Sequence, residues 1–191
     1  MPLTPKLTDL SDLDGIRREL KTLDPGALLG SLDMQRVVIS DDAHLKVKAS
    51  VAEALAAAGK AGSAHIVILK DKTPILRRGE NLLDLVENQL KDHFAVRVEI
   101  LDDGHDKLHA DDTVLDMAAA AVKGADAIVT VGSGTMTDIG KVASQRNGGV
   151  VHVAVQTAAS VDGFTDNVSV VLKNGVKRTV PSRWPDIVLA D

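Results

Sequence analysis

AIVTVGSGTMTDIGKVASQRNGGVVHVAV, residues 127–155, is the stretch whose reading decides the fold. Residues 127–131 form an apolar, β-branched run. Gly132-Ser133-Gly134 interrupts it, a helical pattern spans about Met136 to Gln145, and VVHVAV at 150–155 is strand-like again. A strand, a short loop, a crossover helix and a second strand make a βαβ unit, which implies a parallel sheet.

The same alternation extends outward. RVVIS (36–40) is the first strand candidate, and a helix from about Ala43 to Ala58 ends at Gly59. AHIVILK (64–70) is a continuous apolar run, as in a strand buried on both faces. NLLDLVENQLKDHF (81–94) puts Leu82, Leu85, Val86 and Leu90 on one helical stripe, and VRVEIL (96–101) alternates like a strand. Asp111 or Asp112 caps a helix to about Val122, which Gly124 ends. After residue 160 the alternation breaks. VSVVLKNGVKRTV carries Asn174-Gly175 between two apolar segments, a type I′ hairpin signal, and DIVLA (186–190) is a last strand. The expected fold is a Rossmann-like α/β domain over residues 31–191. Ahead of it, residues 1–30 form a helical extension capped by Ser11, with Ile16, Leu20 and Leu23 on one face, and stopped by Pro25-Gly26.

Composition narrows the function. With 45% hydrophobic residues the 191-residue chain can build a sizeable core. Aromatics are 2%, Tyr is absent and the net charge is −5, which argues against nucleic-acid binding by base stacking or a basic face. There is no cysteine, so disulfides, thiolate metal sites and cysteine nucleophiles are excluded. No run approaches the ~18 apolar residues of a membrane span, and MPLTPKLTDLSD lacks a signal core. The expectation is a cytoplasmic protein.

A glycine loop between a strand and a helix suits an anion, because backbone N–H groups and the helix dipole point at it. It is not a Walker A loop: Gly134 and Gly140 are one residue too far apart and Val142 stands where Ser/Thr would hold magnesium. It is not the usual Rossmann fingerprint either, because Thr137 replaces the third glycine and no strand-end acid follows at the expected distance. An acid does follow an upstream strand, Asp71, placed to accept from a ribose or simply to make a turn. Asp138 is read as a first-turn acid that favours the helix dipole. A second polar cluster, VQTAASVDGFTD (155–166), places Thr157, Ser160 and Asp162 beyond the carboxyl end of the next strand.

VGSGTMTDIGKVAS (131–144), VAVQTAASVDGFTD (153–166) and GVKRTVPSRWPDIVLAD (175–191), in this order, resemble the bacterial sn-glycerol-1-phosphate dehydrogenases. These belong to the iron-containing alcohol dehydrogenase and dehydroquinate synthase superfamily, and the resemblance covers about residues 35–191. It implies an N-terminal NAD- or NADP-binding domain and a helical second domain that holds a divalent metal (zinc, nickel or iron) through one Asp and two His. The implied reaction is hydride transfer between nicotinamide and dihydroxyacetone phosphate, giving sn-glycerol 1-phosphate, a step toward phospholipids. The resemblance assigns Asp71 to the adenosine ribose, and Gly132, Ser133, Gly134, Thr135, Met136, Thr137 and Asp138 to the pyrophosphate loop. Thr157, Ala158, Ala159 and Ser160 line the cofactor, and Asp162 contacts substrate. Gln156 replaces the family's usual Pro and Asp166 its frequent Ser. The family's metal ligands lie beyond the position of Asp191, so the chain is expected to be the cofactor half, without turnover alone and with an apolar face that favours a homodimer. A dehydroquinate synthase-like or polyol dehydrogenase relative, and a stand-alone nucleotide-binding module, are the alternatives.

His105 and His109 are four apart in DDGHDKLHADD, but Gly104 and the acidic flanks indicate a solvated loop rather than a metal-binding helix. His44, His65, His93 and His152 are read as structural. A serine-hydrolase elbow is absent, because Ser133 lacks the G-x-S-x-G spacing.

Overall fold

A computed structural model describes residues 9, 11–26, 28, 30–60, 62–158 and 163–191. Among these residues six parallel strands form the central sheet: β1 (Arg36–Ile39), β2 (His65–Asp71), β5 (Ala95–Leu101), β6 (Ala127–Gly132), β7 (Val151–Gln156) and β10 (Ile187–Ala190). The remaining strands make two small antiparallel pairs, β3 (Leu76–Arg77) with β4 (Glu80–Asn81), and β8 (Val168–Lys173) with β9 (Val176–Pro181). The helices are α1 (Leu13–Leu23), α2 (Val47–Ala57), α3 (Leu82–Leu90), α4 (Asp112–Ala121) and α5 (Gly134–Arg146). Among the described residues no helix is long and apolar enough to cross a membrane.

The sheet order is β1-β10-β7-β6-β2-β5. The chain leaves β2 for β5 on one side and returns to β6 on the other, so the order reverses between β2 and β6. A ligand crevice in an open parallel sheet opens beyond the carboxyl ends of the strands at such a reversal. On one face α2 and α3 bury Val51, Leu55, Val86 and Leu90 against Ile66, Ile68, Val129 and Val153. On the other, α4 and α5 bury Val114, Ala118, Ile139 and Ala143 against Val67, Leu69 and Ile128. The odd and even residues of β2 and β6 thus enter different cores, which is why these strands are apolar without alternation.

The final strand lies inside the sheet, not at its edge. Leu189 pairs with Val155 of β7 on one side and Val38 of β1 on the other. Ile187 and Leu189 enter the α2 core, while Val188 meets Leu13 and Met34, so α1 covers this end of the opposite face. The hairpin turn is as the sequence indicates: Asn174 and Gly175 have φ of 51° and 75°, as a type I′ turn requires.

Three sequence expectations shift. The cap of α1 is Asp12, whose Oδ1 accepts from Gly15 N at 2.8 Å, while the Ser11 hydroxyl is spent on Asp9 at 2.7 Å. The single helix expected from Ala43 begins instead as a 3-10 turn, Ala43–Lys46, after Asp42 takes a left-handed conformation, and only then becomes α2. Helix α5 starts two residues early, at Gly134, which changes the place of every residue in the glycine loop.

Candidate functional site

The glycine loop sits at the reversal point. Val129 pairs with Ile68 of β2, so Gly132 at the end of β6 lies beside the end of β2, where Asp71 is. Gly132 runs straight into α5, and Ser133 occupies the N-cap without making a side-chain capping bond. Among the described residues the first-turn amides of α5 are therefore left without the usual side-chain partner, which is the condition for anion binding at a helix N-terminus. Ser133, Gly134 and Thr135 line a cavity of about 440 Å³ together with Asp138, Asp166 and Lys177.

The two sequence clusters meet. Thr157 N donates to the Gly132 carbonyl at 3.0 Å. Thr137 Oγ1 donates to Gln156 Oε1 at 3.0 Å, and Gln156 Nε2 donates to Ala158 O at 2.9 Å. The departure at Gln156 is thereby explained: the buried amide ties α5 to the chain leaving β7, a bond that proline cannot make. Ala158 is half-buried beside it. Ala159, Ser160 and Asp162 lie outside the described residues.

Not every loop residue faces the cavity. Met136 is buried, and its Cγ would lie 2.5 Å from a Cβ placed on Gly132, so it packs into the fold while Gly132 makes room for it. Thr137 is buried with its hydroxyl committed to Gln156. Asp71 folds back on its own turn, accepting from Thr73 N at 3.0 Å and from Thr73 Oγ1 at 3.2 Å.

The reading of Asp138 as a first-turn acid is overturned. Because α5 begins at Gly134, Asp138 lies in the second turn, and the first turn holds no acid. It is 8% exposed, and burial holds its carboxyl above the usual carboxylate range despite the neighbouring Lys141, with Asp166 adding to the rise. Lys141, an unremarked residue in sequence, is fully buried. Its ammonium donates to Asp166 Oδ1 at 2.7 Å and to the carbonyls of Gly163 and Val168, so one side chain of α5 fastens the segment leading from the second cluster into β8.

Beneath α5, Gly140 lets the helix settle on β6 and β7. Thr130 Oγ1 and His152 Nε2 are 2.9 Å apart there. Burial, with Arg183 and Lys141 nearby, pushes the His152 imidazole down to about 3, so it is neutral and structural.

The family model for iron-containing alcohol dehydrogenase matches residues 46–191. The chain belongs to this family. Similar proteins include glycerol-1-phosphate dehydrogenase [NAD(P)+] of Halalkalibacterium halodurans, 31% identical over 134 residues, covering 68% of this chain and 32% of the relative. The corresponding enzyme of Bacillus licheniformis is 27% identical over 178 residues, covering 92% of this chain and 42% of the relative. The match therefore spans less than half the length of these relatives. Among solved structures, an iron-containing alcohol dehydrogenase from Thermococcus thioreducens superposes with a TM-score of 0.65 at 16% identity, over 83% of this chain and 45% of its own. Maleylacetate reductase from Agrobacterium tumefaciens gives 0.62 at 21% identity, over 84% and 42%. At such identities the likeness establishes the fold.

An iron-containing alcohol dehydrogenase raises the question of metal ligands. Among the described residues one group has the composition, Asp42, His44 and Asp191, with one ligand atom each within 4.8 Å of the others. Arg77 fills it. Its guanidinium lies 2.8 Å from Asp191 Oδ1 and 3.2 Å from Asp42 Oδ1, while His44 Nδ1 is 2.5 Å from Asp191 Oδ2. Burial opposes ionisation of Asp191, yet Arg77 and His44 hold its carboxyl below the usual range. A fixed guanidinium on these oxygens does not fit a divalent cation. The group is a latch joining the ends of β1 and β10 to the β3–β4 turn, and sequence reading missed it because its members lie far apart in the chain. His105 and His109 are exposed on a loop, as expected, although His109 also borders the cavity.

Proposed function

We propose that residues 31–191 are an NAD(P)-binding domain whose ligand lies across the β2–β6 crevice, with its pyrophosphate on the first-turn amides of α5. The observation that carries this reading is the N-terminus of α5, which follows β6 where the strand order reverses, has no side-chain cap among the described residues and borders a cavity. Ser133, Gly134 and Thr135 offer the anion their amides, and Gly134 presents no Cβ to it. The carboxylate of Asp71 accepts from the adenosine ribose in place of the Thr73 hydroxyl. The resemblance further assigns Thr157, Ala158, Ala159 and Ser160 to the cofactor and Asp162 to the substrate.

The activity of the whole protein is the reversible reduction of dihydroxyacetone phosphate to sn-glycerol 1-phosphate. Support comes from glycerol-1-phosphate dehydrogenases as relatives and from the three sequence segments that resemble them. By the resemblance, the divalent metal that would polarise the carbonyl in such chemistry would be held by parts of the longer relatives that this chain does not match. The 191 residues bind the dinucleotide and do not turn it over.

Isothermal titration of the 191-residue chain with NADH and with NADPH tests the binding claim. Saturable heat with either supports it, and no heat with both overturns it. Dihydroxyacetone phosphate-dependent oxidation of NADH by this chain, with zinc, nickel or iron(II) supplied, would overturn the half-enzyme claim.

A further inference from the structure

The bond count around Lys141 does not balance. An ammonium group has three N–H donors. Four acceptors surround it: Gly163 O, Val168 O, Asp166 Oδ1 at 2.7 Å and Asp138 Oδ1 at 3.2 Å. The three closer ones take the protons, and among the described residues Asp138 Oδ1 is left buried with no hydrogen-bond partner. The other carboxylate oxygen of Asp138 accepts from Val170 N at 3.2 Å, which fixes the orientation of the group. The unpartnered oxygen belongs to a residue lining the cavity at the glycine loop. A buried carboxylate oxygen without a donor is costly, so such an atom marks a place where a ligand supplies one.

Asp166 creates the shortage. It is the only side chain among the three groups that take Lys141's protons, and its second contact, from Val168 N at 3.2 Å, holds it in place. We propose that Asp166 is a positioning residue that draws Lys141 away from Asp138, keeping Asp138 open to accept an N–H or O–H of the ligand. The ligand atom is an N–H or O–H donor, because a phosphate oxygen against this carboxylate meets only repulsion. In a nicotinamide dinucleotide the carboxamide and the ribose hydroxyls are of that class, so the proposal deepens the dinucleotide reading and rests on it for the ligand's identity. Among the described residues, the charged and titratable groups around Asp138 are Lys141 on its own helix, Asp166 ahead of β8, His109 ahead of α4 and Lys177 on β9.

The test combines geometry and affinity in the whole chain. In a crystal structure of Asp166→Ala, Lys141 Nζ should move from 3.2 Å to about 2.8 Å from Asp138 Oδ1, the length of a charge-assisted hydrogen bond. NADH affinity by titration should fall on the order of tenfold, the effect of one lost hydrogen bond to a charged group. Asp166→Glu, which restores the carboxylate acceptor, should recover most of it. If Asp166→Ala does not fold, Asp166→Asn keeps the Val168 contact and, as a neutral acceptor, should move both readouts in the same direction by less. An unchanged Lys141–Asp138 distance in a folded variant overturns the proposal. So does a shortened distance with unchanged affinity for a dinucleotide that the parent binds. If the parent binds neither NADH nor NADPH, the dinucleotide reading fails, and the distance alone decides whether Asp166 positions Lys141.

Discussion

Gly140→Ala places one methyl group where α5 crosses the sheet. A Cβ at this position would lie 2.4 Å from Thr130 Cγ2 and 2.6 Å from His152 Nε2, about 1 Å inside ordinary contact. Neither neighbour can yield easily: both are essentially inaccessible, both belong to central strands, and Thr130 is β-branched. Two effects oppose each other. Alanine favours a helix interior over glycine by about 1 kcal/mol, whereas overpacking a dense core costs typically about 1–3 kcal/mol, occasionally more. With two unyielding atoms the clash should lie at the upper end and win by about 1–2 kcal/mol. For a domain of this size that lowers Tm by about 2–8 °C. Thermal unfolding followed by circular dichroism measures it. Thr130→Ser in the Gly140→Ala background removes the nearer atom and should recover part of the loss, leaving the His152 contact. A Gly140→Ala variant that melts at or above the parent, as an ordinary helical glycine would, refutes the reasoning.

Other substitutions test neighbouring features. Lys141→Met leaves Asp138 and Asp166 without their counter-charge, and urea unfolding at pH 7 should show a loss of about 3–5 kcal/mol. That loss should shrink at pH 4, where the raised carboxyl of Asp138 protonates more readily than an ordinary one. His152 has a folded-state value near 3 against about 6.5 in the unfolded chain, so only the unfolded state takes up its proton between them. Stability should therefore fall as pH drops from about 6.5 toward 3, and His152→Asn should flatten that slope in unfolding curves taken across the window. Asp111 caps α4 through Val114 N at 2.9 Å, so Asp111→Ala should cost about 1 kcal/mol by the same measurement.

The alternation of apolar strands and amphipathic helices was readable because burial on one or both faces imposes a period that no other structure shares. The Asn174-Gly175 turn was readable because its two positive φ angles restrict the residues that fit. Caps and starts were less so. Ser11 and Asp12 are both good capping residues, and the choice fell to Asp12 once Asp9 had taken the Ser11 hydroxyl. The glycine loop was found by its context, but the roles of its members were not. Met136, Thr137 and Asp138 look like equal parts of one motif, yet a helix beginning at Gly134 turns Met136 into the core, Thr137 onto Gln156 and Asp138 into the cavity wall.

Sequence by itself determined the α/β class, the parallel strands, the hairpin near the C-terminus and the glycine loop between β6 and α5. Each of these follows from local periodicity or from the backbone freedom of particular residues. Only the tertiary structure decided that the last strand slips between β7 and β1, that Arg77 closes the Asp42, His44 and Asp191 group, and that Lys141 is shared among more acceptors than it has protons. Those outcomes depend on which distant groups meet in a space too small to satisfy all of them, and no window of sequence contains that competition.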